Sequence, residues 1–92
     1  GAIGVTTFYS GLNEPIALEF KLYPNPSNGV FTIQTNKNID QVEIKSIAGK
    51  LVYFDQLNAA NVQIQQDNLE SGIYFVTVKS EGEGLTQRMV IQ

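Results

Sequence analysis

The fold is decided by residues 42–52, VEIKSIAGKLV, in which two apolar runs flank a short turn. In the first run, Val42 and Ile44 alternate with charged residues. A period of two is typical of a strand that has one buried and one solvent-exposed face. An Ala-Gly pair ending at Gly49 separates this run from the next. Residues 41–57 are therefore predicted to form a β-hairpin.

The same alternation recurs along most of the chain, and no stretch shows a convincing helical period. The predicted strands are residues 19–23, 30–35, 41–47, 50–57, 61–66, 73–79 and 85–91. About seven short, closely spaced strands with turn signals between them are typical of an antiparallel sandwich. The predicted fold is all-β, an antiparallel immunoglobulin-like β-sandwich.

The turns between these strands have identifiable signals. Residues 24–29, PNPSNG, are predicted to stop the first strand, because each proline lacks an N–H donor and keeps its predecessor extended. Gly29 can then adopt a positive φ. Glu81 and Glu83 flank Gly82 in another predicted turn. They form either a solvated charged turn or a loose cation site, and the first reading is favoured.

The chain has 92 residues, which suits one domain. Residues 1–17 are irregular and are predicted to be a linker or arm, whereas residues 18–92 form the domain. Phe8 and Tyr9 either dock on this domain or belong to an unattached linker. The longest apolar runs contain only a few residues, as in 89–91, so no membrane-spanning helix is expected.

Composition argues against several classes of function. The net charge is −3 and the six basic residues are scattered, which disfavours a nucleic-acid-binding surface. Cysteine and histidine are both absent. The chain therefore lacks thiolate ligands, a cysteine nucleophile and the side chain best suited to proton transfer near neutral pH. We expect no enzymatic activity, no metal and no cofactor.

Exposed aromatic rings offer an alternative function, because sandwich modules often bind sugars on such rings. The candidate rings are Tyr23, Phe31, Tyr53, Phe54, Tyr74 and Phe75. A ring in a strand more often belongs to the core. Neighbouring rings in a strand point to opposite faces. One ring of each adjacent pair is thus expected in the core.

Four blocks, in order, resemble the type A C-terminal sorting domains of the Bacteroidetes type IX secretion system. The blocks are Leu22-Tyr23-Pro24-Asn25-Pro26 followed by Gly29; Val42-Glu43-Ile44 through Ser46-Ile47-Ala48-Gly49-Lys50-Leu51-Val52; Leu69-Glu70-Ser71-Gly72-Ile73-Tyr74-Phe75-Val76; and Arg88-Met89-Val90-Ile91. The resemblance covers roughly residues 20–92. Each block alone is a weak signal, but four at the family spacing are fairly specific. The family often has lysine where Arg88 stands.

The resemblance implies that the domain directs a passenger across the outer membrane. Its partners would be the outer-membrane translocation machinery and the surface sortase, which usually removes the domain by cutting in the preceding linker. The expected location is the periplasm in transit, then the cell surface or the medium. The alternative is a carbohydrate- or protein-binding β-sandwich module appended to an extracellular enzyme.

The candidate recognition residues follow from the blocks. They are Pro24, Asn25, Pro26, Gly29, Gly49, Lys50, Gly72, Tyr74, Arg88, Met89, Val90 and Ile91. The hypothesis is that the last strand, with its edge open to strand addition, forms a receptor-facing surface with the loops at Pro24–Gly29 and Gly72–Tyr74. Turn chemistry at the glycines and prolines, and a core tyrosine that bonds a loop at Tyr74, are the competing interpretations.

Overall fold

A computed structural model describes residues 17–92, and these residues form five strands and no helix. The strands are β1 (Phe20–Tyr23), β2 (Val30–Ser46), β3 (Leu51–Gln65), β4 (Gly72–Ser80) and β5 (Glu83–Ile91). Every pair of neighbouring strands is antiparallel. The all-β antiparallel class predicted from the alternation is confirmed. The predictions for residues 1–16 lie outside the described residues.

The predicted count of about seven strands is not confirmed. Predicted strands 30–35 and 41–47 are two halves of the continuous β2, and 50–57 and 61–66 are two halves of β3. The β2–β3 pairing continues past the polar residues between the halves, with register shifts between Gln34 and Ile39. Such irregularities bend a strand without ending it.

The bent β2–β3 ribbon belongs to both sides of a curled sheet. The first half of β2 lies between β1 and β3, and its second half lies between β3 and β4. β5 then pairs with β4. The sheet curls until β1 contacts β5, where Gln87 Nε2 donates a hydrogen bond to the Phe20 carbonyl oxygen.

The inner face of this curled sheet holds the hydrophobic core. Val42 lies opposite Val78, and Ile44 lies opposite Val76, and all four are fully buried. The complete core is Leu18, Phe20, Phe31, Ile33, Ile39, Val42, Ile44, Ile64, Tyr74, Val76, Val78, Met89 and Ile91. Burying one large aliphatic side chain contributes about 1.5–3 kcal/mol. The alternation seen in the sequence is what places these residues on one face.

Four segments meet at one end of the domain, which we call the loop end: residues 24–29, 47–50, 66–71 and Gln92. Residues 24–29 contact residues 66–71, because the Gln66 amide donates a hydrogen bond to the Gly29 carbonyl oxygen over 2.8 Å. Residues 47–50 and 66–71 line a common groove of about 310 Å³. Gly72 pairs with Ile91, next to the last residue.

The opposite end, which we call the far end, contains residues 36–40, 57–60 and 81–82. Lys37 Nζ lies 2.8 Å from Glu83 Oε1, and this hydrogen bond lowers the pKa of the Glu83 carboxyl below its usual value. The Glu81 amide donates to Asp40 Oδ2 over 2.9 Å. Glu83 is thus paired with a lysine, which agrees with the charged-turn interpretation of Glu81 and Glu83.

Candidate recognition surface

The loop that contains the end of the first block is joined to the end of β5 and to Gln92 by four hydrogen bonds at the loop end. Asn25 Nδ2 donates to the Arg88 carbonyl oxygen, and the Val90 amide donates to Asn25 Oδ1, each over 3.0 Å. The Ser27 amide donates to the Val90 carbonyl oxygen, and the Gln92 amide donates to the Ser27 carbonyl oxygen, each over 2.8 Å. Ser27 therefore forms a single parallel bridge with Ile91, and Asn25 reaches β5 through its side chain.

This arrangement limits where a partner strand could add to the edge of β5. β5 is an edge strand, since its strand partner is β4. From Arg88 onward, however, the outward backbone groups are already bonded to Asn25 and Ser27. A partner strand that leaves this loop in place would have to add beside the part of β5 that precedes Arg88, where Gln87 is bonded to Phe20 of β1.

Ser27 and Gly29 hold the loop in shape. Ser27 is 2% exposed, and its Oγ donates to the Val30 carbonyl oxygen over 3.1 Å and accepts the Gly29 amide over 3.0 Å. Gly29 has a φ of +110°, as the sequence predicted for this turn. The peptide bonds before Pro24 and Pro26 are both cis. Ser27 was missed by the sequence analysis, because a serine after a proline resembles any turn residue.

The closing block places alternate side chains on opposite faces of β5. Met89 and Ile91 are 0% and 2% exposed and belong to the core. Arg88 points to the outer face and is exposed, and Val90 is half-buried. In the folded domain Arg88 is accessible to a partner, whereas Met89 and Ile91 can act only by holding the strand in place.

Tyr74 is a core residue that also orders a loop. It is 8% exposed, and its hydroxyl donates to the Glu70 carbonyl oxygen over 2.7 Å. It lines the loop-end groove together with Lys50. The turn that precedes Lys50 is closed by a hydrogen bond of 2.8 Å, which the Ser46 amide donates to the Lys50 carbonyl oxygen. Tyr74 thus has the geometry expected of a core tyrosine that bonds a loop, which is the competing interpretation of this residue.

The candidate residues divide into an exposed and a buried group. The exposed group is Pro24, Asn25, Pro26, Gly49, Lys50, Gly72 and Arg88, with Val90 half-buried, and the buried group is Gly29, Tyr74, Met89 and Ile91. The exposed group lies at the loop end and along the adjoining end of β5. The buried group supports that surface from below.

The aromatic rings do not form an aligned platform on the described residues. Phe54 and Phe75 are 46% and 37% exposed, while their neighbours Tyr53 and Tyr74 turn toward the core, as the adjacent-pair argument predicted. Phe54 lies opposite Glu43, and Phe75 lies opposite Lys45 and Arg88. Tyr23, on β1, is 47% exposed and lies opposite Thr32. The three exposed rings are therefore not cross-strand neighbours, which argues against a sugar-binding row.

Residues 17–92 contain neither a cluster of metal ligands nor a membrane-spanning helix. No three acidic side chains there lie close enough together to hold a metal ion. No helix in this part of the chain is long and apolar enough to cross a membrane.

Replacing Asn25 by leucine is expected to loosen the end of β5. The variant loses both side-chain hydrogen bonds to β5, each with a net value of about 0.5–1.5 kcal/mol, so the free energy of unfolding should fall by about 1–3 kcal/mol. Hydrogen exchange should show faster exchange of the Val90 amide. Asn61→Leu is the matched control, because Asn61 is an exposed β3 residue away from β5. Equal exchange rates at Val90 in both variants would contradict the role assigned to Asn25.

Comparison with solved structures shows the same kind of fold in a much larger protein. The superposition covers 79% of this chain. The matched chain comes from a structural and functional study of PorZ, an essential bacterial surface component of the type IX secretion system of Porphyromonas gingivalis. The TM-score is 0.65 and the sequence identity is 22%. The match spans 11% of the length of that chain. At this identity the likeness supports the fold alone.

Sequence comparison identifies the family. None of the curated proteins is significantly similar to the chain. Residues 21–92 match the family described as the secretion system C-terminal sorting domain, which is the C-terminal signal of type IX secretion. The match includes all four blocks, from Leu22 through Ile91, and confirms the resemblance seen in the sequence. The chain therefore belongs to the family of secretion system C-terminal sorting domains.

Proposed function

We propose that the type IX machinery reads this domain in its folded state, at the loop end and the adjoining end of β5. The carrying observation is the set of hydrogen bonds that Asn25 makes to Arg88 and Val90. These bonds bring the first and last family blocks together although 63 and 65 residues separate the partners. A single surface then presents both blocks, which a receptor for many different passengers requires.

The proposed partners are the outer-membrane translocation machinery and the surface sortase. The passenger lies upstream, passes through the periplasm with the domain attached, and reaches the cell surface or the medium. The sortase cuts within residues 1–17, ahead of the domain at 18–92, so the domain is a substrate and performs no catalysis. Leu18 supports this boundary, because it is 4% exposed and already belongs to the core.

Two insertions distinguish recognition at the loop end from recognition elsewhere. A short flexible epitope tag is placed between Ala48 and Gly49 at the loop end, or between Glu81 and Gly82 at the far end. Both sites are exposed turns, where insertions are tolerated best. The tagged domains are fused behind a fluorescent passenger with an export signal in a Bacteroidetes host. We expect the loop-end tag to hold the passenger in the periplasm and the far-end tag to leave export unchanged.

Circular dichroism and thermal unfolding of both tagged domains establish that they fold. Export with either tag in place would show that the loop end is not the recognised surface. Retention of the passenger with the untagged residues 1–92, with the domain folded, would overturn the sorting role itself. Removing residues 85–92 is a weaker test, because Met89 and Ile91 belong to the core and the truncated domain is expected to unfold.

A further inference from the structure

The outer face of the sheet carries a line of four side chains from four adjacent strands. Lys45 lies opposite Phe75, and Phe75 lies opposite Arg88. Leu51 lies opposite Lys45 just past a register shift in the β2–β3 ladder. We call these four residues the outer stripe. Leu51 and Phe75 are 49% and 37% exposed, and both basic side chains are exposed. The outer stripe therefore alternates apolar and cationic side chains across β3, β2, β4 and β5.

The two cations of the outer stripe have no ion-pair partner within residues 17–92. The salt bridge found in this part of the chain joins Lys37 to Glu83 at the far end. The whole chain carries a net charge of −3, so the outer stripe is a basic patch on an acidic domain. The neighbouring acidic residue on this face is Glu43, which is half-buried and lies opposite Phe54 and Thr77.

The spacing defines the chemistry of a complementary surface. Lys45 and Arg88 are separated by two strand spacings, about 10 Å in total. Phe75 lies between them, where an apolar group can cover the ring while the two cations pair with carboxylates. Burying cations beside an aromatic face also strengthens their attraction to the ring. The matching surface has two carboxylates about 10 Å apart, on either side of an apolar side chain.

We propose that the outer stripe docks an acidic protein segment of the type IX machinery, a proposal that rests on the sorting function given above. A glycan would stack on successive rings, and this line contains one ring. A protein face that binds a lipid surface would need apolar side chains that project beyond its cations. Such a face would contain no carboxylate. Here the apolar and cationic side chains alternate within one sheet face, and Glu43 precedes Lys45 by two residues on the same face. Alternation of this kind fits a protein surface.

Isotope-labelled residues 1–92 allow a binding test with defined probes. The probes are a random glutamate–tyrosine copolymer, polyglutamate, alginate and phosphatidylglycerol vesicles. We expect the copolymer to bind most tightly and to shift the amide signals of Lys45, Phe75 and Arg88. The double variant K45E/R88E should lower that affinity by at least about tenfold, since repulsion replaces attraction. Tighter binding of alginate or of vesicles would overturn the choice of a protein partner.

The control is K21E/K79E, which changes two exposed lysines that are not in the outer stripe. Each replacement changes the charge by two, so both double variants have a net charge of −7 instead of −3. In the export assay, K45E/R88E and Phe75→Ser should hold the passenger in the periplasm, whereas K21E/K79E should not. Thermal unfolding shows that each variant is folded.

The outcomes separate this proposal from the sorting function. If the unaltered domain exports its passenger and both stripe variants do so too, the outer stripe is not the docking surface and the sorting role stands. If K21E/K79E also blocks export, net charge alone accounts for the effect and the proposal is wrong. If the unaltered domain does not export its passenger, the proposed sorting function itself is wrong.

Discussion

Alanine at position 29 is expected to lower the free energy of unfolding by roughly 2–4 kcal/mol, the cost of a strained backbone plus a displaced neighbour. Gly29 has a φ of +110°, a conformation that residues with a side chain rarely adopt. An added Cβ would lie 2.6 Å from the Gln66 carbonyl oxygen, closer than van der Waals contact allows. The clash is with backbone, which cannot move aside as a flexible side chain can.

The backbone around Gly29 is also fixed from both sides. Its amide donates to Ser27 Oγ over 3.0 Å, and its carbonyl oxygen accepts the Gln66 amide over 2.8 Å. Relief of the clash would break one of these bonds and detach residues 24–29 from the end of β5. For a domain of this size, each kcal/mol lost shifts the midpoint of thermal unfolding by about 4–8 °C. We therefore expect a lower midpoint in thermal and urea unfolding and reduced export of the passenger.

Gly84→Ala is the matched control for this prediction. Gly84 has no positive φ, and the nearest atom to an added Cβ is Lys79 Cγ at 3.6 Å, an ordinary contact. Alanine there should leave stability within about 1 kcal/mol of the original, or raise it by restricting the unfolded chain. If the two alanine variants unfold at the same urea concentration, Gly29 is not under the constraint described here.

The sequence predicted those features of the fold that depend on local pattern. The alternation of Val42 and Ile44 with Glu43 and Lys45 correctly assigned the inner and outer faces, because side chains in a strand alternate strictly. The hairpin around Gly49 and the positive φ at Gly29 also followed from local turn chemistry. These properties are set by a few consecutive residues and need no knowledge of the rest of the chain.

The strand count could not be predicted in the same way. Thr35 begins a polar stretch that has the composition of a loop, yet its Oγ1 lies 2.6 Å from the Ala60 carbonyl oxygen of β3. Ile39 then continues the ladder opposite Ala59 and is fully buried. Whether such a stretch turns or bends depends on the partner strand, which the local sequence does not identify.

The candidate surface shows the same limit. The four blocks could be found in the sequence, but their relation to each other could not. Asn25 reaches Arg88 and Val90 through contacts between residues more than 60 positions apart. The outer stripe likewise depends on the register of three strand pairs, and a shift of one residue would send Phe75 to the opposite face. Long-range register is a property of the folded sheet.

Replacing Met89 by alanine is expected to cost about 2–5 kcal/mol, the usual range for a buried methionine in a core. Met89 is fully buried and lies directly opposite Tyr74, so the cavity would open where β4 and β5 meet. Residues 18–92 make a domain of about 75 residues, whose total stability is roughly 4–11 kcal/mol. Met89→Ala should therefore populate unfolded chains and reduce export, as measured by urea unfolding and by the amount of passenger outside the cell.

Met89→Leu separates packing from recognition at this position. Leucine keeps most of the volume, and such a swap usually costs less than about 1.5 kcal/mol, so the domain should fold and export its passenger. Arg88→Gln is the converse case, because this exposed side chain contributes little to stability but belongs to the accessible surface. It should fold normally and export poorly. If Met89→Leu folds but is not exported, while Arg88→Gln is exported normally, the machinery reads the closing block as an unfolded sequence, because Met89 is inaccessible in the native strand.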